Sequence, residues 1–84
     1  MNAHTYYDLP RDAETITDSF GQEWVNTGKR GMGGFDLWVP VVHPFSGTLR
    51  VWDDGQYITE VGGTRFVYLH REDFQEGIVH RTYH

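Results

Sequence analysis

Residues 47–70 read GTLRVWDDGQYITEVGGTRFVYLH, and this stretch decides the fold class of the chain. It contains three runs of strand-forming residues, separated by compact glycine-containing turns at residues 53–55 (DDG) and 62–63 (GG). Polar and apolar side chains alternate in the first two runs, whereas residues 64–70 are apolar on both faces. The pattern predicts three consecutive antiparallel strands. The third is expected to be central in the sheet, or to have its second face covered by another element.

Segments on either side extend this sheet. Residues 22–27 (QEWVNT) and 35–42 (FDLWVPVV) predict two earlier strands, and residues 78–83 predict a last one. Pro40 cannot donate a ladder hydrogen bond, so its strand lies at a sheet edge, is bulged, or ends near this position. Residues 43–47 (HPFSG) predict the turn that follows.

Two segments predict short helices. In residues 10–20 (PRDAETITDSF), apolar residues recur on one helical face and a proline suits the first turn, so a helix ending before Gly21 is expected. The competing interpretation is a strand through residues 14–18, because Thr, Asp and Ser are poor formers of helix interiors. Residues 71–76 (REDFQE) predict one helical turn, with Phe74 pointing inward, before the last strand.

Together these elements predict a mainly β fold. It is a small antiparallel meander of five to six strands, with one short N-terminal helix and a helical turn before the last strand. Such a sheet avoids exposed edges by curling, so we expect a curled sheet or a partly closed barrel that resembles SH3-like barrels in its helical turn. Residues 1–9 add an edge strand or remain loose. Residues 1–84 are expected to form a single domain, since the 84 residues contain no linker or repeat.

Composition excludes several kinds of chemistry. The chain has no Cys, which rules out disulfides, thiolate metal sites and Cys nucleophiles. Its net charge of −5 argues against direct binding to nucleic acid and favours a basic protein surface as partner, or solubility alone. No apolar run approaches the ~18 residues of a membrane span, so a cytoplasmic protein without membrane contact is expected. His80 and His84 are spaced as i and i+4, which suits a metal site on a helix, but residues 78–83 predict a strand, so no metal or cofactor site is expected. The adjacent carboxylates Asp53 and Asp54 are explained by a turn, so no catalytic site is expected either.

The residues without an evident folding role lie in residues 28–34 (GKRGMGG). Four glycines in seven residues indicate a loop and not the interior of a strand or helix. Backbone N–H groups and two cations can bind an anion there, but the P-loop and dinucleotide patterns are absent, and a flexible hairpin loop is the favoured interpretation of the segment. The predicted binding residues are in this loop and on the sheet face beside it: Lys29, Arg30, Met32, Trp38, Arg50 and Trp52.

Three functions agree with these observations. The first is a non-enzymatic protein-binding module, such as a small acidic inhibitor or adaptor of the type encoded by phages and mobile elements, which occupies a basic or nucleic-acid-binding surface of a larger protein. The second is an oligonucleotide- or phosphate-binding domain that uses the loop at residues 28–34. The third is a structural homo-oligomer that pairs through an edge strand such as residues 35–42. Small size and the lack of a catalytic constellation place the protein-binding module first.

Overall fold

The computed structural model describes residues 12–42 and 47–83, which form seven antiparallel strands and one short helix. Each strand pairs with the next along the chain, so the sheet is a plain meander that curls into a half-barrel. The predicted β meander is therefore confirmed, whereas the predictions for residues 1–9 and for the turn at residues 43–46 lie outside the described residues. The strands are β1 (Thr15–Thr17), β2 (Glu23–Gly31), β3 (Phe35–Pro40), β4 (Thr48–Trp52), β5 (Tyr57–Val61), β6 (Thr64–Tyr68) and β7 (Arg81–Tyr83), and the helix α1 (Arg71–Glu76) lies between β6 and β7.

The two turns in residues 47–70 form where the sequence predicts them. Gly55 ends the turn between β4 and β5 with φ of 97°, in the left-handed region that favours glycine. Val61 pairs directly with Thr64, so β5 and β6 are joined by a two-residue turn. That turn requires positive φ at both central positions, and its two glycines have φ of 59° and 82°.

The core lies on the inner face of the curled sheet. Residues directly opposite each other on antiparallel strands share a face, and the register places one set of large side chains together there. Phe74 of α1 is buried among them, with its ring 5.5 Å from that of Tyr57 and 5.2 Å, edge-on, from that of Tyr68. The inward orientation predicted for Phe74 is thus confirmed. The buried cluster consists of Ile16, Trp24, Trp38, Leu49, Tyr57, Tyr68 and Phe74.

Over the described residues 12–20 the predicted helix is wrong, and the competing strand interpretation is confirmed. β1 runs antiparallel to β2 in this segment, with Ile16 buried opposite Trp24. Two β-branched threonines flank Ile16, and such residues favour strands over helices. Pairing with β2 also places Ile16 opposite Trp24, a large buried partner that an isolated helix would lack.

Residues 28–34 are only partly a loop. β2 continues through Gly28 to Gly31, and the turn itself contains residues 32–34. The pairing register with β3 shifts between Asn26 and Arg30, and Gly28 within this irregularity has φ of 79°. Glycine therefore permits a bulge inside the strand instead of ending it. The prediction that these glycines exclude a strand was therefore wrong for residues 28–31, whereas residues 32–34 do form a turn.

β3 ends at Pro40, which is one of the outcomes predicted from that proline. It pairs with β2 on one side and with β4 on the other, so residues 35–40 are not an edge strand, and homo-oligomeric pairing through them is contradicted. The edges of the described sheet are β1 and β7, each three residues long. β7 is shorter than predicted because residues 78–80 form a connection. Helix α1 has six residues, and no helix in residues 12–42 and 47–83 is long enough to cross a membrane.

Candidate functional site

Arg30, predicted to be a binding residue, is held by two carboxylates. Its Nη1 donates to Asp36 Oδ1 at 2.9 Å and its Nη2 donates to Asp53 Oδ2 at 2.7 Å. The guanidinium hydrogen bond holds the pKa of Asp53 below its usual range. Because Asp53 N also donates to Gly34 O at 3.0 Å, these hydrogen bonds connect the β2–β3 hairpin to the β4–β5 turn. Arg30 therefore has a structural role, and two carboxylates more than balance its charge.

Arg50 and Trp52 lie on the outer face of the sheet, on either side of Phe35. The rings of Phe35 and Trp52 are 4.7 Å apart between centroids, and the Arg50 guanidinium is 5.2 Å from the Phe35 ring centre. Arg50 also lies 3.6 Å from Glu60, which pairs with Arg65 at 3.3 Å. Both predicted residues are thus half-buried in a packed cluster, in which Arg50 and Arg65 share the carboxylate of Glu60.

The other three predicted residues are in different environments. Met32 is 96% exposed at the tip of the β2–β3 hairpin, and Lys29 is exposed on β2. Trp38 is 3% exposed and belongs to the core on the inner face, so its prediction as a surface contact is corrected. Lys29, Arg30 and Arg50 do meet around one shallow depression of about 390 Å³ on the outer face. The six residues therefore do not form one surface.

A cleft that the sequence did not predict opens between the β1–β2 hairpin, strands β5 and β6, and the C-terminal end of α1. Its volume is about 300 Å³, and its surface is almost entirely apolar. Five aromatic side chains line it, together with two valines: Phe20, Trp24, Phe66, Tyr68, Phe74, Val61 and Val79. Clefts of this volume lie at the lower end of the range that binds small molecules and single side chains.

Asp18 builds the wall of the cleft formed by the β1–β2 hairpin. Its Oδ1 accepts hydrogen bonds from the backbone N–H groups of Phe20 and Gln22, each at 2.9 Å, and its Oδ2 accepts one from Trp24 Nε1 at 3.1 Å. A side chain that bonds to its own backbone two residues on is a standard way for Asp to shape a turn. The turn leaves the Phe20 side chain 88% exposed beside the cleft, while Trp24 is 1% exposed in its floor.

The remaining polar groups in the floor are paired with one another. The hydroxyl groups of Tyr68 and Thr59 are hydrogen-bonded, and burial raises the pKa of Tyr68. The C-terminal end of α1 is fixed by Gly77 in the left-handed conformation, packed close to Ser19 of the hairpin. Because its polar atoms are satisfied, the cleft offers hydrocarbon and aromatic surface to an occupant.

The two segments that flank the cleft carry the negative charge of the chain. Residues 12–28, which include the hairpin, contain four carboxylates and no Lys or Arg. Residues 71–77, which include α1, contain three carboxylates and one arginine, Arg71, which lies 3.5 Å from Glu14. Seven carboxylates and one arginine give these segments a formal charge of −6, so with −5 for the whole chain the remaining residues sum to +1. The acidity of the protein is therefore local.

Within residues 12–42 and 47–83, no group of three or more His, Asp or Glu side chains is placed to hold a metal ion. No protein-family model matches the chain, and neither the curated proteins nor the solved structures contain a significant match.

Proposed function

We propose that the chain is a non-enzymatic protein-binding module, a small inhibitor or adaptor that occupies a basic surface of a larger protein. One observation supports this most directly: an apolar cleft opens between the two segments that hold the chain's excess negative charge. Apolar burial would supply affinity, and the carboxylates would orient and attract a basic partner. The arginines predicted as binding residues, Arg30 and Arg50, are by contrast paired with carboxylates.

This arrangement separates the two steps of binding. Exposed carboxylates act at a distance and raise the rate of encounter, an effect that salt screens over a Debye length of about 8 Å at physiological ionic strength. Contacts inside the cleft are short-ranged and mostly determine the rate of dissociation. The proposal therefore predicts association that slows strongly with salt and dissociation that hardly changes.

The experiment uses two variants that each remove one negative charge. Glu76→Gln acts beside the cleft, on the last turn of α1, where a carboxylate is unfavourable for the helix and its loss should not unfold the protein. Asp54→Asn acts in the β4–β5 turn, outside both charged segments, and keeps the side-chain oxygen that accepts from Gln56 N. Quantitative affinity enrichment with immobilised wild type should recover a protein with a basic surface. Its association rate should fall about twofold for Glu76→Gln and hardly at all for Asp54→Asn.

Two results would contradict the proposal. One is an enriched partner whose association rate does not change between about 50 and 500 mM salt. The other is an equal effect of the two variants, because that would show that the charge beside the cleft has no special role.

The second candidate function, oligonucleotide or phosphate binding, is supported by the depression between Lys29, Arg30 and Arg50 beside the Phe35 ring. Cations next to an aromatic ring suit a phosphate backbone and a stacked base. It ranks second because carboxylates already engage both arginines. Titration of wild type with fluorescent single-stranded DNA and RNA at low salt tests it, and binding lost on Lys29→Ala would favour this function over the first.

A further inference from the structure

We infer that the cleft receives one aromatic side chain, presented by a basic segment of the partner; this inference rests on the proposed function. The volume of about 300 Å³ suits a single ring system and not a folded element or a long peptide. Five aromatic side chains line the cleft, and aromatic rings gain attraction from edge-on and offset contacts in addition to the burial of their surface. An aromatic occupant uses that lining more fully than an aliphatic one.

The floor of the cleft is formed before any partner binds. Trp24 and Phe74 are each 1% exposed, and Asp18 fixes the Trp24 indole through a hydrogen bond of 3.1 Å. Phe74 is held edge-on against Tyr68, with ring centres 5.2 Å apart. A rigid floor lowers the entropic cost of binding, because little of the protein has to be ordered when the occupant enters.

The mouth of the cleft contrasts with its floor. Phe20 and Val79 both line the cleft, yet they are 88% and 39% exposed. Apolar side chains in these positions can close around the edge of an inserted ring and remove its surface from water. The free protein therefore has room for one inserted side chain, and Phe20 and Val79 can cover that side chain once it is in the cleft.

Charge indicates what accompanies the aromatic residue. The cleft lies between residues 12–28 and residues 71–77, which together hold seven carboxylates and one arginine. A peptide that inserts its central side chain here places its neighbouring residues over one or both of these segments. Lys or Arg on either side of the aromatic residue would be favoured, and Asp or Glu would be disfavoured.

Defined peptides test the inference without knowledge of the partner. The probes are capped pentapeptides with Trp, Leu or Ala between two pairs of basic residues, and one with Trp between two pairs of glutamates. Binding is measured by NMR titration of the Trp24 indole N–H and of the backbone amides at residues 20–22 and 77–79. We expect the basic Trp peptide to bind about tenfold more tightly than the Ala peptide, to exceed the Leu peptide, and to shift these resonances. The acidic Trp peptide should not bind.

Two neighbouring substitutions provide a matched pair. Val79→Trp places a bulky ring over the cleft, whereas Ile78→Trp adds the same ring at an exposed residue that does not line it. The backbone on either side is anchored, since Ile78 N donates to Asp73 O and His80 N donates to Val67 O, each at 2.9 Å. Both variants should melt near the wild-type temperature. Val79→Trp should lose peptide binding at least tenfold, and Ile78→Trp should keep it.

The results separate the inference from the proposed function. Equal binding of the Trp and Leu peptides, or binding that Val79→Trp does not weaken, would overturn the inference. If Val79→Trp still captured the basic partner in a salt-dependent way, the inference would fail while the protein-binding function stood. If partner capture by wild type did not depend on salt, the proposed function itself would fail.

Discussion

Replacing Asp18 with Asn tests how the cleft is built. The Asp18 carboxylate accepts from two backbone N–H groups of the turn through Oδ1 and from Trp24 Nε1 through Oδ2. Asn keeps one oxygen for the backbone donors but places an amide NH₂ opposite the indole N–H. Two donors then face each other, and the indole, in a side chain that is 1% exposed, loses the Asp18 carboxylate as acceptor.

The expected cost follows from these bonds. A buried donor left without a partner costs about 1–3 kcal/mol, and hydrogen bonds to a charged acceptor lie toward the upper part of this range. We therefore expect Asp18→Asn to lower the free energy of unfolding by about 2 kcal/mol. Asp18→Ala also frees the two turn amides, of which the one at Phe20 is exposed and can bind water, so its cost should reach about 3 kcal/mol. At about 4–8 °C per kcal/mol for a domain of this size, Asp18→Asn should lower Tm by about 8–16 °C.

Urea unfolding followed by tryptophan fluorescence measures these values. Asp54→Asn is the matched control, because Asp54 also accepts a backbone N–H of its turn but bonds to no buried indole, and its effect should stay within about 0.5 kcal/mol. In a Trp24→Phe background the indole donor is absent, and most of the cost of Asp18→Asn should disappear. An Asp18→Asn variant as stable as Asp54→Asn would refute the role assigned to this hydrogen bond.

Three further predictions concern the outer face and the titration of the protein. A Cβ on Gly31, whose φ is not positive, would lie inside the Phe35 ring, so Gly31→Ala should lower the free energy of unfolding by about 1–3 kcal/mol. A Gly31→Ala/Phe35→Ala double variant should be no less stable than Phe35→Ala, and an additive loss would contradict the contact. Arg30 lowers the pKa of Asp53 from 3.8, so the stability that this ion pair contributes is present above about pH 4 and is lost as pH falls through the folded-state pKa. Urea unfolding midpoints measured at decreasing pH should therefore decline less for Asp53→Asn than for wild type. An equal decline with pH in both proteins would contradict the role assigned to Asp53. Burial raises the pKa of Tyr68 above 10.0, so the stability contributed by its neutral hydroxyl is complete below pH 10 and is lost as pH rises through the folded-state pKa. The urea unfolding midpoint of Tyr68→Phe should therefore decline less at alkaline pH than that of wild type. An unchanged decline would exclude Tyr68 as its source.

The parts of the fold that are local in sequence were predictable. The turns at residues 53–55 and 62–63 depend on glycine at positions that need positive φ, and the alternation of the flanking strands then determines their register. Residues 10–20 were not predictable in this way, because Ile16 suits both a helical face and a strand centre. Its long-range pairing with Trp24 decided between the two. Local patterns cannot report such a partner.

The candidate site was harder to predict because its parts are distant in the chain. Its walls come from three separated segments, residues 18–24, 59–68 and 74–79, and only the folded meander brings them together. Likewise, nothing local to Arg30 indicates that Asp53, 23 residues away, will bind it. One signal was present in the sequence: residues 12–28 contain four carboxylates and no Lys or Arg. Counting charge by segment and not over the whole chain would have located the acidic surface.

The open topology explains why a cleft exists, and charge explains why an apolar one is tolerated. In the described part of the sheet, the order runs from β1 to β7 without pairing between these two edges, so a seam remains, and α1 fills it with one buried side chain, Phe74. Lining the rest of that seam with polar residues would suffice for a protein that acts alone. This chain instead turns Phe20 almost fully into water through a turn built by Asp18, a geometry that contributes little to the core. The carboxylates around it disfavour contact with a second copy of the same acidic surface and favour contact with a basic one. An exposed aromatic, an apolar cleft and local acidity are each costly or neutral for folding, and the proposed binding to a basic partner would account for all three together.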